Sequence, residues 1–132
     1  MTTHDALARW HIIAAQGSPP AALEQIIAEN AVFHSPVVHT PQRGRALVVA
    51  YLSAAGQVLG NDSFTYVREV VDGNNAVLEF TAEIGGIFVN GIDMIEFDDA
   101  GQIVDFKVMV RPMKAMNKLW EMMATQLARD HS

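Results

Sequence analysis

Apolar residues in the first 60 positions recur every three or four residues, and from Phe64 they change to runs and alternations, so helices should come first and strands afterwards. Leu7, Trp10 and Ala14 share one side of a helix over 5–16 that Gly17 stops. Ser18 offers an N-cap and Pro19 a preset first turn for a short second helix, with Leu23, Ile26 and Ile27 on one side. Residues 31–39 contain Pro36, with Pro41 just beyond. Prolines cannot donate in a central ladder, so this stretch reads as short extended pieces at an edge or rim. Gly44 begins a third helix with Leu47, Tyr51, Ala54 and Val58 on its stripe.

Four strands follow, FTYVREVV, AVLEFTAEI, IFVNGIDMIEF and IVDFKVMVR, separated by DGNN, GG and DDAG. Such short turns predict an antiparallel meander, with Asn90-Gly91 open to reading as a turn or bulge. Pro112 opens a last helix whose face carries Met113, Met116, Trp120, Met123 and Leu127, and the tail RDHS reads as fraying. The order ααβαββββα describes an α+β cone, a curled sheet with helices on its concave side, as a single domain over 1–132.

Strand alternation assigns the faces. Leu78, Phe80, Ala82 and Ile84 should face the helices, as should Val104, Phe106, Val108 and Val110. The other set of the last strand, Ile103, Asp105, Lys107, Met109 and Arg111, should face outward, where Lys107 and Arg111 are placed to pair with Glu79 and Glu83. One inward row breaks the pattern: Val89, Gly91, Asp93, Ile95 and Phe97 puts a carboxyl among apolar side chains. A carboxyl buried there holds its proton to higher pH and can donate to an oxyanion or act as a base. The plain alternative is an Asp93 satisfied by a backbone amide or a histidine, or turned to solvent.

Composition narrows the classes. Of 132 residues 50% are hydrophobic and 18% charged, which places the chain among folded proteins. Nine basic residues against fifteen acidic ones give a net charge of −6 without a basic cluster, which argues against nucleic acid as a partner. With no cysteine there is no disulfide, thiol nucleophile or cysteine metal site. The polar N-terminus has no leader pattern, and no window approaches the roughly 18 apolar residues of a membrane span, so a soluble, cytoplasmic protein is expected.

The segments ENAVFHSP, QRG and GIDMIEFDDAGQI, in this order of elements, resemble the nuclear transport factor 2 fold, and within it the SnoaL-like and ketosteroid-isomerase-like small enzymes. The resemblance spans nearly the whole chain. It implies that Asp93 stands where those isomerases keep their oxyanion-hole aspartic acid. Their catalytic base, which precedes a proline in the first strand, corresponds to Ser35 here, and their helix tyrosine falls at Trp10 or His11. One member of that trio is therefore present. The resemblance further implies cofactor-independent chemistry and a homodimer through the outer sheet face, where Ile92, Met94 and Met109 add apolar surface.

Strand parity bears on the two histidines of VFHSPVVHTPQRG. If Ser35 faces the cavity, Phe33 and His39 share its side and His34 points away, which makes His39 an acid/base candidate beside His11. The alternative is that both histidines satisfy loop carbonyls. No HExxH or similar ligand cluster suggests a metal. The expected site is an apolar pocket lined by Trp10, Phe33, Tyr51, Phe80, Phe106 and Val108, with Asp93 at its floor and His11, Ser35 and His39 as polar companions. Three functions fit: an isomerase, cyclase or lyase on a small apolar carbonyl compound, a binding module without chemistry, or a dimeric interaction domain.

Overall fold

The computed structural model describes residues 1–130. Helix α1 runs Thr3–Ala15, capped by the Thr2 hydroxyl accepting from the Asp5 amide, and buries Ala6, Leu7, Trp10 and Ile13. Helix α2 is only Pro20–Ile26. Its N-cap is Pro19 rather than Ser18, which is buried in a left-handed turn instead. Ile27, expected on that helix, opens strand β1, Ile27–His34, four residues earlier than the prolines suggested. Pro36 marks where β1 ends, not where it lies.

The chain returns from β1 as β2, Gln42–Arg43, an antiparallel partner absent from the expected order. Helix α3, Arg45–Leu59, buries Ala54 and Val58 of the expected stripe, but in its first turns it turns Val48 and Leu52 inward and leaves Leu47 exposed. Gly56 is required on this helix, because a Cβ there would stand 2.5 Å from the Gly17 oxygen in the α1–α2 turn.

Strands β3 (Thr65–Asp72), β4 (Asn75–Ile84), β5 (Ile87–Phe97) and β6 (Ile103–Arg111) form the meander, and β1 joins it parallel to β6. The six strands lie in the order β2-β1-β6-β5-β4-β3, a curved sheet with the helices on one face. Asn90 and Gly91 sit within unbroken pairing to both neighbours, so they form neither turn nor bulge. Ile103 is fully buried, not outward, because a bulge beside Glu96 and Phe97 resets the register. Since β5 separates β4 from β6, the expected Glu–Lys/Arg pairs do not form. Asn90 bridges them instead, accepting from Arg111 at 2.8 Å and donating to Glu79 at 3.0 Å.

Helix α4, Met113–Asp130, buries Ala115 and Leu119 and leaves Met113 79% exposed, so its packed face is turned from the expected one. Arg129 and Asp130 continue the helix where fraying was expected. The other tail residues, His131 and Ser132, lie outside the described residues. No helix among the described residues is long and apolar enough to cross a membrane.

Candidate functional site

Asp93 lies on β5 between Leu78 of β4 and Val108 of β6, two aliphatic neighbours that offer a carboxyl nothing polar. It is 7% exposed. Its partner comes from β3: the Tyr66 hydroxyl donates to Asp93 Oδ2 at 2.5 Å. The same hydroxyl accepts from Trp10 Nε1 of α1 at 3.1 Å. The three residues thus form one directed chain, Trp10 to Tyr66 to Asp93, in which each hydrogen points toward the carboxyl.

The environment sets the proton's position. Burial pushes the Asp93 carboxyl up to about 7, against the smaller opposing effect of the Tyr66 hydrogen bond, which favours the charged form. Tyr66 is itself held well above the ordinary tyrosine range, first by burial and then by the Asp93 charge. Near neutral pH, therefore, Tyr66 keeps its proton and Asp93 exists in both forms.

Aromatic packing fixes the geometry. Phe64 stacks on Phe80 at 5.1 Å and meets Tyr66 edge-on at 5.0 Å. On the other side Trp10 meets Phe106 edge-on at 5.1 Å. Gly91 allows this arrangement, since a Cβ there would lie 2.5 Å from Cζ of Phe80.

These residues wall a cavity of about 180 Å³ between the sheet and the helices. Trp10, Phe33, Tyr51, Phe80, Phe106 and Val108 all line it, as do Asp93 and Ser35. Val38 and Trp120 also border it and are 37% and 59% exposed, which places its mouth between the β1–β2 loop and α4. Trp120, Met123 and Leu127 of the expected α4 face thus border the cavity without being buried in the core. The lining is otherwise mostly apolar, with Asp93 its one carboxyl among the described residues.

Both histidine candidates lie elsewhere. His11 meets Tyr66 edge-on at 5.2 Å, but its Nε2 points to Glu69 Oε1 at 2.6 Å, outside the cavity lining. His39 borders a separate depression, because β1 ends at His34 and the bend at Pro36–Val37 cancels strand parity beyond it. His34 points away, as parity requires, and pairs with Asp105 at 2.9 Å. Ser35 accepts from the Val37 amide at 3.2 Å, tying down the loop at the cavity wall. Among the described residues no three of His, Asp and Glu converge as metal ligands.

Tyr66 is the site residue that the sequence pattern did not reveal. Phe64 and Tyr66 do alternate inward, but Val67 bulges out of the ladder and places Glu69 on the inner side, so FTYVREVV shows no consistent apolar face.

A family model of the SnoaL-like domain matches residues 7–106. Among solved structures, a steroid delta-isomerase from Pseudomonas aeruginosa is 41% identical, with 96% of this chain and 92% of that one covered and a TM-score of 0.89. A Silicibacter pomeroyi protein with a cystatin-like fold is 31% identical over 93% of this chain and 85% of its own, with a TM-score of 0.86. A putative SnoaL-like polyketide cyclase from Jannaschia shares the fold at 11% identity, covering 89% of this chain and 90% of its own, with a TM-score of 0.69. No curated protein matches. With its matched domain and its curved six-stranded sheet, the chain belongs to the SnoaL-like domain family of the nuclear transport factor 2-like fold.

Proposed function

We propose that the cavity binds a small, largely apolar carbonyl compound and that Asp93 acts on its oxygen as a general acid, without a cofactor. The observation that carries this reading is Asp93 itself, a buried carboxyl in the lining of an apolar cavity, whose hydrogen-bond partner, Tyr66, donates to it. In the neutral form its own proton is not taken up by Tyr66, which is itself a donor to the carboxyl, and so is available to an oxygen that enters the cavity. Isomerase, cyclase and lyase reactions at a carbonyl all build negative charge on that oxygen, the charge that a neutral acid can answer. Likeness to a steroid delta-isomerase supports the reaction class. Trp10, Phe33, Tyr51, Phe80, Phe106 and Val108 supply the apolar contacts, and Ser35 holds the wall.

A second reading, a ligand-binding module without turnover, is favoured by one fact: His11 and His39 stand outside the cavity, so no histidine among the described residues serves as a second proton carrier there. A screen of small ketones and enones with wild type and Asp93→Asn separates the two. Turnover by wild type that Asp93→Asn loses, with binding kept, supports the enzyme. Binding without turnover in both supports the module.

We also infer a homodimer through the outer sheet face. Val70, Val77, Ile92, Met94 and Met109 stand there side by side across β3 to β6, with Val70 and Met109 about half exposed. Sedimentation should give a dimer for wild type and a monomer for Ile92→Lys; a monomeric wild type would end this inference.

A further inference from the structure

Behind the cavity wall lies a second depression, bordered by His34, His39, Lys107, Met109 and Met116. Ser35, Pro36, Val38 and Val108 border both spaces, so the two are separated by one stretch of loop and a single β6 side chain. The cause is topological. β1 leaves β6 after the pairing of His34 with Lys107, and the sheet edge beyond it is open. Side chains from both faces of β6, Lys107 and Met109 from the outer and Val108 and Val110 from the inner, therefore border one space.

The groups gathered there are basic. His34 is held by Asp105 at 2.9 Å, whereas Lys107 and His39 have no hydrogen-bond or ion-pair partner among the described residues. Lys107 is half-buried beside the apolar Met94 and Met109, at the point where β6 becomes the open edge of the sheet and so at the rim of the outer face, not its middle. A cation kept partly out of water with no carboxylate at ion-pair distance, the nearby Asp105 being held by His34, is suited to an anionic group supplied from outside.

We propose that the ligand of the cavity is an amphipathic acid. Its apolar body lies in the cavity, and its carboxylate or similar anionic head passes Val38 to rest on Lys107, with His39 and the Asp105-held His34 as further donors. This proposal rests on the reading of the cavity as a ligand site and narrows its ligand to one class.

Two fluorescent probes test it, 1-anilinonaphthalene-8-sulfonate and N-phenyl-1-naphthylamine, which share an aromatic body and differ by the sulfonate. In fluorescence titrations the sulfonate should bind about tenfold more tightly, the scale of one hydrogen bond to a charged group. Lys107→Met should erase that difference and leave the neutral probe unchanged, while the control Lys118→Met should preserve it. Ala55→Trp, which intrudes on the cavity, should weaken both probes. Equal affinities, a difference that survives Lys107→Met, or probes indifferent to Ala55→Trp would overturn the proposal. Binding of the neutral probe alone would overturn it and leave the cavity reading standing, and binding of neither would remove both.

Discussion

Between pH 3 and pH 8 the folded chain should lose about 4 kcal/mol of stability relative to an Asp93→Asn variant. The unfolded chain releases the Asp93 proton near 3.8, and the folded chain keeps it to about 7. Within that window the folded state binds more protons, so each pH unit costs it about 1.4 kcal/mol. Below the window both states are protonated and the contribution is fully present; above it, the loss is complete. This is opposite to the usual paired carboxylate, whose stabilising effect appears as pH rises. Asparagine can still accept from Tyr66 but does not titrate, so the difference between urea-unfolding profiles of the two proteins isolates Asp93 from the histidines. A difference that stays flat from pH 4 to pH 7 would mean that the carboxyl is solvated.

Turnover should respond as strongly. In Asp93→Asn the amide can still donate a hydrogen bond to the ligand's oxygen but cannot transfer a proton. Binding should therefore stay within a few-fold, whereas kcat should fall about 10² to 10³-fold, the scale of general acid catalysis. The wild-type rate should itself decline as pH rises through about 7, where Asp93 loses the proton it donates. A rate that instead climbs through this range would assign Asp93 the role of a base, and one unaffected by Asp93→Asn would remove it from the chemistry. Steady-state kinetics on any substrate found in the screen measures both effects.

Much of this site is legible in the sequence, for reasons that differ by residue. Asp93 stands out because a two-residue period is rigid: once Val89, Ile95 and Phe97 face inward, so must the carboxyl between them. The six apolar lining residues follow from the same periodicities. Parity fails where regular backbone ends. His39 lies past a strand end and the bend at Pro36–Val37, so its phase relative to Phe33 carries no information. Tyr66 is hidden for a related reason, since the bulge at Val67 scrambles the alternation of its strand. His11 is a candidate only as a replacement for a helix tyrosine, while the neighbouring Trp10 holds that inward position and reaches Asp93 indirectly, through Tyr66. Likewise, the phase of α4 depends on which of its many apolar residues the sheet accepts, and Ala115 and Leu119 win over the bulkier Met113.

The most direct measurement is a carbon-13 NMR titration of the Asp93 carboxyl in wild type and Tyr66→Phe. The wild-type midpoint should fall at about 7, and removing the Tyr66 hydroxyl should move it higher, because that hydrogen bond stabilises the carboxylate. A wild-type midpoint near the ordinary 3.8 would contradict the central claim that this chain keeps a protonatable acid in the wall of an apolar cavity.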